Sequence, residues 1–482
     1  MMARATRTPP TADLPSTTPA MLFNSFQFLY LFLPITYVVF WALSTRQQRY
    51  AWLTLTGYVF YGFWNYRFCA LMAFSTLVSY GAGRALGHTE EPRRRKLWLA
   101  LPVAVDLALL AFFKYTGFAL DSARGLVVLL GWHVRVPSFS IVLPIGISFY
   151  TFHTISYMVD AYRRKITPTH NLLEFACYVS LFSQLVAGPI VRFRQIESDL
   201  ETIDGARRTA HWGEGWSFFA CGLAKKVLLA DNLAAIIDPA LAAPAALGTL
   251  GAWLCALGYA YQLYFDFSGY SDMAVGLGYL FGLHIPQNFD SPYKALDPSD
   301  FWRRWHISLS TCLRDYLYIP LGGNRRGPIR TSINLMLTML IGGLWHGAGW
   351  TFVLWGAYHG GLLILYRRFS KAWDAWPAGV RRAGMFLLVT LGWVPFRARS
   401  LSTAGVLLRR MWVVTPGLLP PGTLGLGILV AVAAALAHLA PNTWQLRHRL
   451  GPVPALALGM ATLLSLGALH GAAPSPFLYF QF

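Results

Sequence analysis

The chain has 482 residues, of which 55% are hydrophobic, 15% aromatic and only 13% charged, with a formal net charge of +19 and a mean hydropathy of +0.44. A soluble domain is about 25% charged, and half that charge cannot cover the surface of a soluble protein of this size. The composition excludes a soluble enzyme, a disordered chain and a small disulfide scaffold, and leaves a polytopic helical membrane protein. A transmembrane β-barrel is disfavoured because the apolar runs are continuous rather than alternating.

Residues 1–20 are rich in Thr, Pro and Ala, and Pro9, Pro10, Pro15 and Pro19 forbid a helix there, so this stretch is expected to be a disordered extension. Met21 stands directly before Leu22-Phe23 and is a candidate alternative start. The first apolar run, 24–43, is followed by no small-x-small cleavage site and reads as a retained span. Further candidate spans are 50–64, 66–86, 97–113, 139–160, 173–190, 213–230, 248–266, 331–346, 350–368, 382–396, 423–440 and 452–470. About eleven of these are expected to cross the membrane and the rest to be interfacial or re-entrant. The stretch 213–230, carrying Glu214, Lys225 and Lys226, is the best interfacial candidate. Residues 114–138 read as an extramembrane excursion, with Lys114, Asp121, Arg124, His133 and Pro137. Residues 191–212 are the most polar internal stretch, and 284–330 carry many charges and aromatics but no clean span. Without a repeat or a Gly/Ser linker, residues 21–482 read as a single membrane domain.

The positive charge sits at the ends of apolar runs, as Arg93-Arg94-Arg95-Lys96, Arg163-Arg164-Lys165, Arg325-Arg326, Arg367-Arg368 and Arg381-Arg382. This is the pattern of the positive-inside rule and of attraction to anionic headgroups, not of nucleic-acid binding. It puts Arg46/Arg49, Arg93–Lys96 and Arg163–Lys165 on the cytoplasmic side. The five cysteines form no C-x-x-C pair and read as buried thiols rather than a disulfide or metal framework.

Ionisable residues inside or beside apolar segments are functional hypotheses by default. Three clusters stand out. The first runs from Tyr264 through Asp266, Ser268 and Tyr270 to Asp272 and reads as the end of an apolar helix. The second is Phe301-Trp302-Arg303-Arg304-Trp305-His306, leading to Arg314-Asp315-Tyr316 and the turn Gly322-Gly323-Asn324-Arg325. The third is Gly342-Gly343-Leu344-Trp345-His346-Gly347-Ala348-Gly349-Trp350. His346 is flanked by glycines that permit close backbone approach or a helix break. A neutral imidazole in such a setting is a competent general base; the bland alternative is a core histidine bonded to a backbone carbonyl. His306 has the same ambiguity, between catalysis and an interfacial anchor, and His359 reads as structural. No G-x-S-x-G, Walker loop, H-E-x-x-H or G-x-G-x-x-G motif supports a serine hydrolase, an ATPase, a zincin or a dinucleotide enzyme.

The second and third clusters together resemble the membrane-bound O-acyltransferase family, and more closely its bacterial branch of the alginate O-acetylase type. The teichoic-acid D-alanylation transporter is a relative. The matching stretches are Leu143–Phe152, Leu185–Ile190, Tyr264–Asp272, Asp300–Arg325, Gly343–Gly360 and the terminal Phe477–Phe482. Cys312 departs from the bulky aromatic expected in many relatives. The resemblance implies an all-α ring of about eleven transmembrane helices around a central tunnel, in a bacterial inner membrane. It implies His346 and His306 as catalytic residues. Arg303, Arg304, Asp266, Tyr270, Asp272, Arg314, Asp315, Asn324, Arg325 and Trp345 are the expected substrate-binding residues. The implied donor is acetyl-CoA or an acyl-carrier thioester, with no bound cofactor or metal. The implied partners are membrane lipids, an exopolysaccharide and a periplasmic SGNH-type acetyltransferase. The competing readings are a glycan or lipid transporter and a non-catalytic scaffold of a secretion complex.

Overall fold

The computed structural model describes residues 21–478 except 187, 447, 449, 450, 472–474 and 476. The expected disorder of residues 1–20 and the last four residues of the terminal aromatic motif lie outside the described residues.

Among the described residues the chain is all-helical, with only an isolated bridge between Leu247 and Leu418. The helices are α1 (Leu33–Ala42), α2 (Arg46–Asn65), α3 (Cys69–Gly87), α4 (Pro92–Leu110), α5 (Thr116–Leu129), α6 (Ile147–Tyr162) and α7 (Leu172–Ser180). There follow α8 (Phe182–Leu185), α9 (Phe193–Glu201), α10 (Trp212–Ala224), α11 (Asp231–Ala242), α12 (Thr249–Leu280), α13 (Pro298–Arg304) and α14 (Ile307–Leu313). The last are α15 (Gly327–His346), α16 (Trp350–Asp374), α17 (Ala378–Arg397), α18 (Leu401–Trp412), α19 (Thr423–His438) and α20 (Pro452–Gly471). Polar N-caps set several starts: Thr45 forms a capping box with Gln48 before α2, and Asn171 accepts from the amides of Leu173 and Glu174 before α7. Two long helical paths run through π-helical turns rather than stopping, at Ala111–Tyr115 between α4 and α5 and at Lys225–Ala230 between α10 and α11.

Among the described residues, two helical stretches are long and apolar enough to cross a membrane by length and composition, Pro92–Leu129 and Pro452–Gly471, with shorter apolar helices at Gln27–Ala42 and Thr423–His438. Other long helices carry charge in their interiors, as α12 does with Asp266 and Asp272.

The structure corrects several expected boundaries. The excursion placed at 114–138 is helical as far as Leu129, and Lys114 packs inside the protein. The stretch 173–190 is not one helix but α7 and α8 broken at Leu181. The cluster Tyr264–Asp272 does not end a helix, because α12 continues to Leu280. The stretch 213–230 is not interfacial: α10 buries Phe218, Phe219 and Leu223, and its π-helical continuation buries Lys226. The absence of a clean span in 284–330 agrees with the structure, which holds there the short α13, α14 with its π-helical continuation at Arg314–Tyr318, a brief turn at Pro292–Lys294 and the first residues of α15.

The reason lies in how α10 and α12 meet. They run antiparallel at backbone contact. A Cβ at Gly222 would fall 2.4 Å from the Gly269 carbonyl oxygen, and one at Gly276 would fall 2.5 Å from that of Gly215. Small residues that let backbones touch are the usual device of helix packing in lipid. This contact aligns opposite charges. Lys225 Nζ lies 2.6 Å from Asp272 and donates to Thr443 Oγ1 at 2.7 Å. Lys226 Nζ lies 2.6 Å from Asp266 and 2.8 Å from Asp231. The second Asp266 oxygen accepts the Leu478 amide at 3.1 Å, which ties the C-terminal segment to the same network. Charges the sequence places on two separate segments therefore neutralise one another inside the fold.

Two of the basic clusters lie side by side: Arg95 donates to the Tyr162 carbonyl at 3.0 Å and Arg164 pairs with Glu90, while Arg46 lies 3.6 Å from Asp204.

Replacing Lys226 by Met should leave Asp266 and Asp231 buried without their shared cation. Breaking a buried pair from one side costs about 3–5 kcal/mol. K226M should therefore lower the thermal midpoint of the detergent-solubilised protein, and K226M/D266N should recover part of that loss; a K226M midpoint equal to wild type would refute the assigned role.

Candidate active site

Helix α15 ends at His346 and α16 starts at Trp350, so Gly347–Gly349 form a sharp break between two antiparallel helices. Glycine is required here by proximity. A Cβ at Gly343 would lie 2.3 Å from the Phe352 carbonyl oxygen, one at Gly356 2.4 Å from that of Met339, and one at Gly347 2.1 Å from the Phe352 ring. The tight hairpin delivers His346 to the interior, where it is 5% exposed. Its ring meets Trp345 and Trp355 edge-on at 5.0 Å each and Phe396 at 5.3 Å.

His306 approaches from the other side. It is fully buried and joins α13 to α14 in the left-handed region, with φ at +44°. A non-glycine residue held there stores strain, and such strain concentrates at functional sites. Its ring centroid lies 6.3 Å from that of His346 and 5.9 Å from Trp345. Phe149 and Phe152 on α6 hold Trp345 in turn, at 5.4 and 5.5 Å. Two imidazoles thus share one aromatic chamber, although forty residues separate them in sequence.

Asn288 fixes the orientation of His306. Its Oδ1 accepts from the Ser308 amide at 3.1 Å and from Ser308 Oγ at 2.8 Å, and it lies 3.1 Å from His306 Nδ1. A backbone N–H can only donate, so the atom facing it is the amide oxygen and the His306 Nδ1 carries a proton. In the neutral imidazole Nε2 is then the acceptor nitrogen. Asn288 Nδ2 donates to Ser271 Oγ at 3.1 Å, and its carbonyl accepts the Ile307 amide at 2.9 Å, so α12 and α14 both pin this residue.

The sequence profile of the membrane-bound O-acyltransferase family matches residues 129–387, a span that contains both histidines and their hairpin. The chain is 46% identical over 397 residues to the probable alginate O-acetylase AlgI of Azotobacter vinelandii, covering 80% of this chain and 76% of that protein. It is 37% identical over 426 residues to the peptidoglycan O-acetyltransferase of Helicobacter pylori, covering 81% and 80%. It is 30% identical over 256 residues to the teichoic acid D-alanyltransferase of Bacillus subtilis, covering 49% and 62%. The chain belongs to the membrane-bound O-acyltransferase family. It is therefore an acyltransferase, and the family is membrane-bound.

Within this acyltransferase the other candidate residues fall into separate groups. Trp345 joins the histidine pair. Asp266 and Asp272 sit in the lysine network of α10 and α12, and Tyr270 stacks on Phe23 at 4.6 Å and meets Phe477 edge-on at 4.1 Å. Arg304 pairs with Asp300 at 3.0 Å and donates to the Asp290 carbonyl at 3.2 Å, while Arg303 lies on the surface 3.5 Å from Asp300. Asn324 and Arg325 are exposed beyond the turn at Gly322 and Gly323. Asp315 is shared by exposed Arg314 and buried Arg192, each at 2.7 Å. Burial would raise its carboxyl, but the hydrogen bonds and charges of Arg314 and Arg192 prevail and hold it below the usual carboxylate range. Cys312 is fully buried beside this group. His359, read as structural, lies 4.9 Å from Trp355 and 5.3 Å from Trp302 in an aromatic stack. Among the described residues, no cluster of three or more His, Cys, Asp or Glu is placed to hold a metal ion.

Sequence reasoning missed Asn288, Ser271 and Lys114. Asn288 sits in Gln287-Asn288-Phe289, where nothing local marks it; only the fold brings it to His306. Lys114 had a visible signal, a lone cation within Phe112-Phe113-Lys114-Tyr115, but the span was ended one residue before it.

Asn288→Ala removes the bond that orients His306 without touching either ring. Misplacing a catalytic group costs up to roughly 100-fold. N288A should lower turnover by about 10- to 100-fold at normal membrane accumulation; turnover within experimental error of wild type would show that Asn288 does not position the site.

Proposed function

We propose that this acyltransferase moves an acetyl group from a cytoplasmic thioester, acetyl-CoA or an acyl-carrier thioester, to a hydroxyl for the O-acetylation of an exported polysaccharide. The observation that carries this reading is the pair of buried imidazoles, centroids 6.3 Å apart, in one aromatic chamber. Such a chamber excludes water, which protects a thioester from hydrolysis while a hydroxyl is activated. The names of the relatives support a polysaccharide: one is a probable alginate O-acetylase, another a peptidoglycan O-acetyltransferase.

His346 acts as general base. The hydroxyl oxygen attacks the thioester carbonyl as its proton passes to His346, and collapse of the tetrahedral intermediate breaks the C–S bond. The proton then returns to the departing thiolate. His306, held by Asn288 with Nε2 as its acceptor atom, helps relay that one proton between His346 and the thiolate, and Trp345 walls the acyl group. Arg303, Arg304, Arg314 and Arg325 attract the phosphates of the donor.

The helices form a ring of about eleven spans around a tunnel through the bacterial inner membrane. Arg46, Arg95 and Arg164 face the cytoplasm. Donor and polysaccharide lie on opposite sides, so the acyl group leaves on the periplasmic side, directly onto the glycan or onto a serine of an SGNH-type partner.

His346→Ala should abolish acetylation of the secreted polysaccharide while the protein accumulates normally in the membrane. Loss of a general base costs about 10²–10⁴-fold, read as CoA release from acetyl-CoA by the purified protein in nanodiscs. Wild-type acetyl content in H346A would exclude the catalytic role and favour a transporter or scaffold.

A further inference from the structure

We infer that Lys114, with its neighbour Tyr115, is a positioning clamp for His346. The inference rests on the reading of His346 as the base, and extends it to a residue from a distant part of the chain.

The argument begins with the end of α15. The last four carbonyls of a helix have no partner within it. In α15 these belong to Gly343, Leu344, Trp345 and His346. The Gly343 carbonyl accepts the Gly347 amide at 3.3 Å, the ordinary cap. The other three are met from the α4–α5 path. Tyr115 Oη donates to the Leu344 carbonyl at 2.9 Å. Lys114 Nζ donates to the Trp345 carbonyl and lies 3.5 Å from that of His346. It also donates to Ser148 Oγ at 3.3 Å and sits 5.8 Å from the Trp345 ring. Every terminal carbonyl of the histidine's helix is therefore accounted for, and two consecutive residues of one foreign segment account for three.

Two further observations point the same way. Lys114 lies inside Pro92–Leu129, one of the two stretches apolar enough to span a membrane, where a cation is expensive unless it has an internal task. It also sits in the π-helical turn Ala111–Tyr115. Such turns disturb side-chain register and recur at functional sites. A cation at a helix C-terminus interacts favourably with the helix dipole. In a chamber shielded from water, no solvent molecule would replace this bond. Without it the last turn of α15 would fray, and His346 is the residue at its end. Lys114 reaches carbonyls of the site rather than reacting atoms, so its role is positioning.

The test uses the full-length protein in nanodiscs with acetyl-CoA as donor and an alginate oligosaccharide as the hydroxyl acceptor. K114M should reduce kcat for CoA release by about 10- to 100-fold, with KM for acetyl-CoA within about twofold of wild type. K114R should restore most of the loss, and Y115F should give a smaller loss in the same direction. Hydrogen exchange of the peptide around 340–350 should accelerate in K114M while the rest of the protein keeps its wild-type pattern. If K114M fails to fold, Y115F carries both readouts, with K114R expected near wild type. Unchanged kcat and unchanged exchange in the folded variants would overturn the clamp and leave the reading of His346 intact. Conversely, local loosening in K114M together with an active H346A would keep the clamp and sink His346 as base. A K114M protein whose exchange rises everywhere, with Y115F silent in both readouts, would make Lys114 a general structural residue and overturn the proposal.

Discussion

A polar group surrounded by apolar helices and lipid has no water to fall back on, and this constraint organises the protein. Each buried charge or free backbone carbonyl must find its partner in another part of the chain. Lys225 and Lys226 find Asp272 and Asp266 across the contact of α10 and α12. Asp106 on α4 accepts from Ser75 on α3 at 2.6 Å and from Thr154 on α6 at 2.5 Å, which joins three helices at one carboxylate. The last carbonyls of α15 find Tyr115 and Lys114. Because each leftover partner would be costly, these links specify which helices are neighbours and in what register, something non-directional apolar contacts do poorly.

Close backbone contact is the complementary device. Glycines at 215, 222, 269 and 276 draw α10 against α12, and those at 343, 347 and 356 draw α15 against α16. In the first case the result is an aligned set of ion pairs; in the second it is a histidine at the tip of a hairpin, turned into a chamber of tryptophans and phenylalanines. His306 reaches that chamber by a different route, through a strained left-handed residue held by Asn288. One site thus combines a rigid helix end with a strained loop, and each is braced by a residue from elsewhere in the sequence.

The sequence alone made the helical class and most helix positions legible, because apolar runs are long; from the residues alone the two histidines stayed open between catalysis and structure, and the family resemblance supplied their catalytic reading. Charge was the point of failure. A charged residue in an apolar run reads equally as the end of a span or as an internal pair, and local pattern does not distinguish them. Asp266 and Asp272 look locally like a helix end although α12 continues to Leu280, and Lys114 looks like the start of an excursion although its helical path continues to Leu129. Lys225 and Lys226 suggest an interfacial helix for the same reason, since Asp272 and Asp266, the α12 carboxylates that pair with them, lie far away in sequence. Asn288 was invisible for another reason. Its importance comes from three hydrogen bonds to one oxygen, and these exist only after α12 and α14 have packed.

The same hydrogen-bond accounting limits what His306 can do in the proposed mechanism. With Nδ1–H directed at Asn288, a neutral His306 presents an acceptor at Nε2 and cannot donate to a developing oxyanion. The glycine amides after His346 are poor candidates for that task as well. The Gly347 amide donates to the Gly343 carbonyl at 3.3 Å, and the Gly349 amide to the Gly347 carbonyl at 3.1 Å. Donors already engaged in holding the hairpin would have to break those bonds to serve a transition state, whereas effective oxyanion sites are preorganised. On the proposed mechanism, the donor that balances the oxyanion therefore has to come from another wall of the chamber or from the substrates themselves.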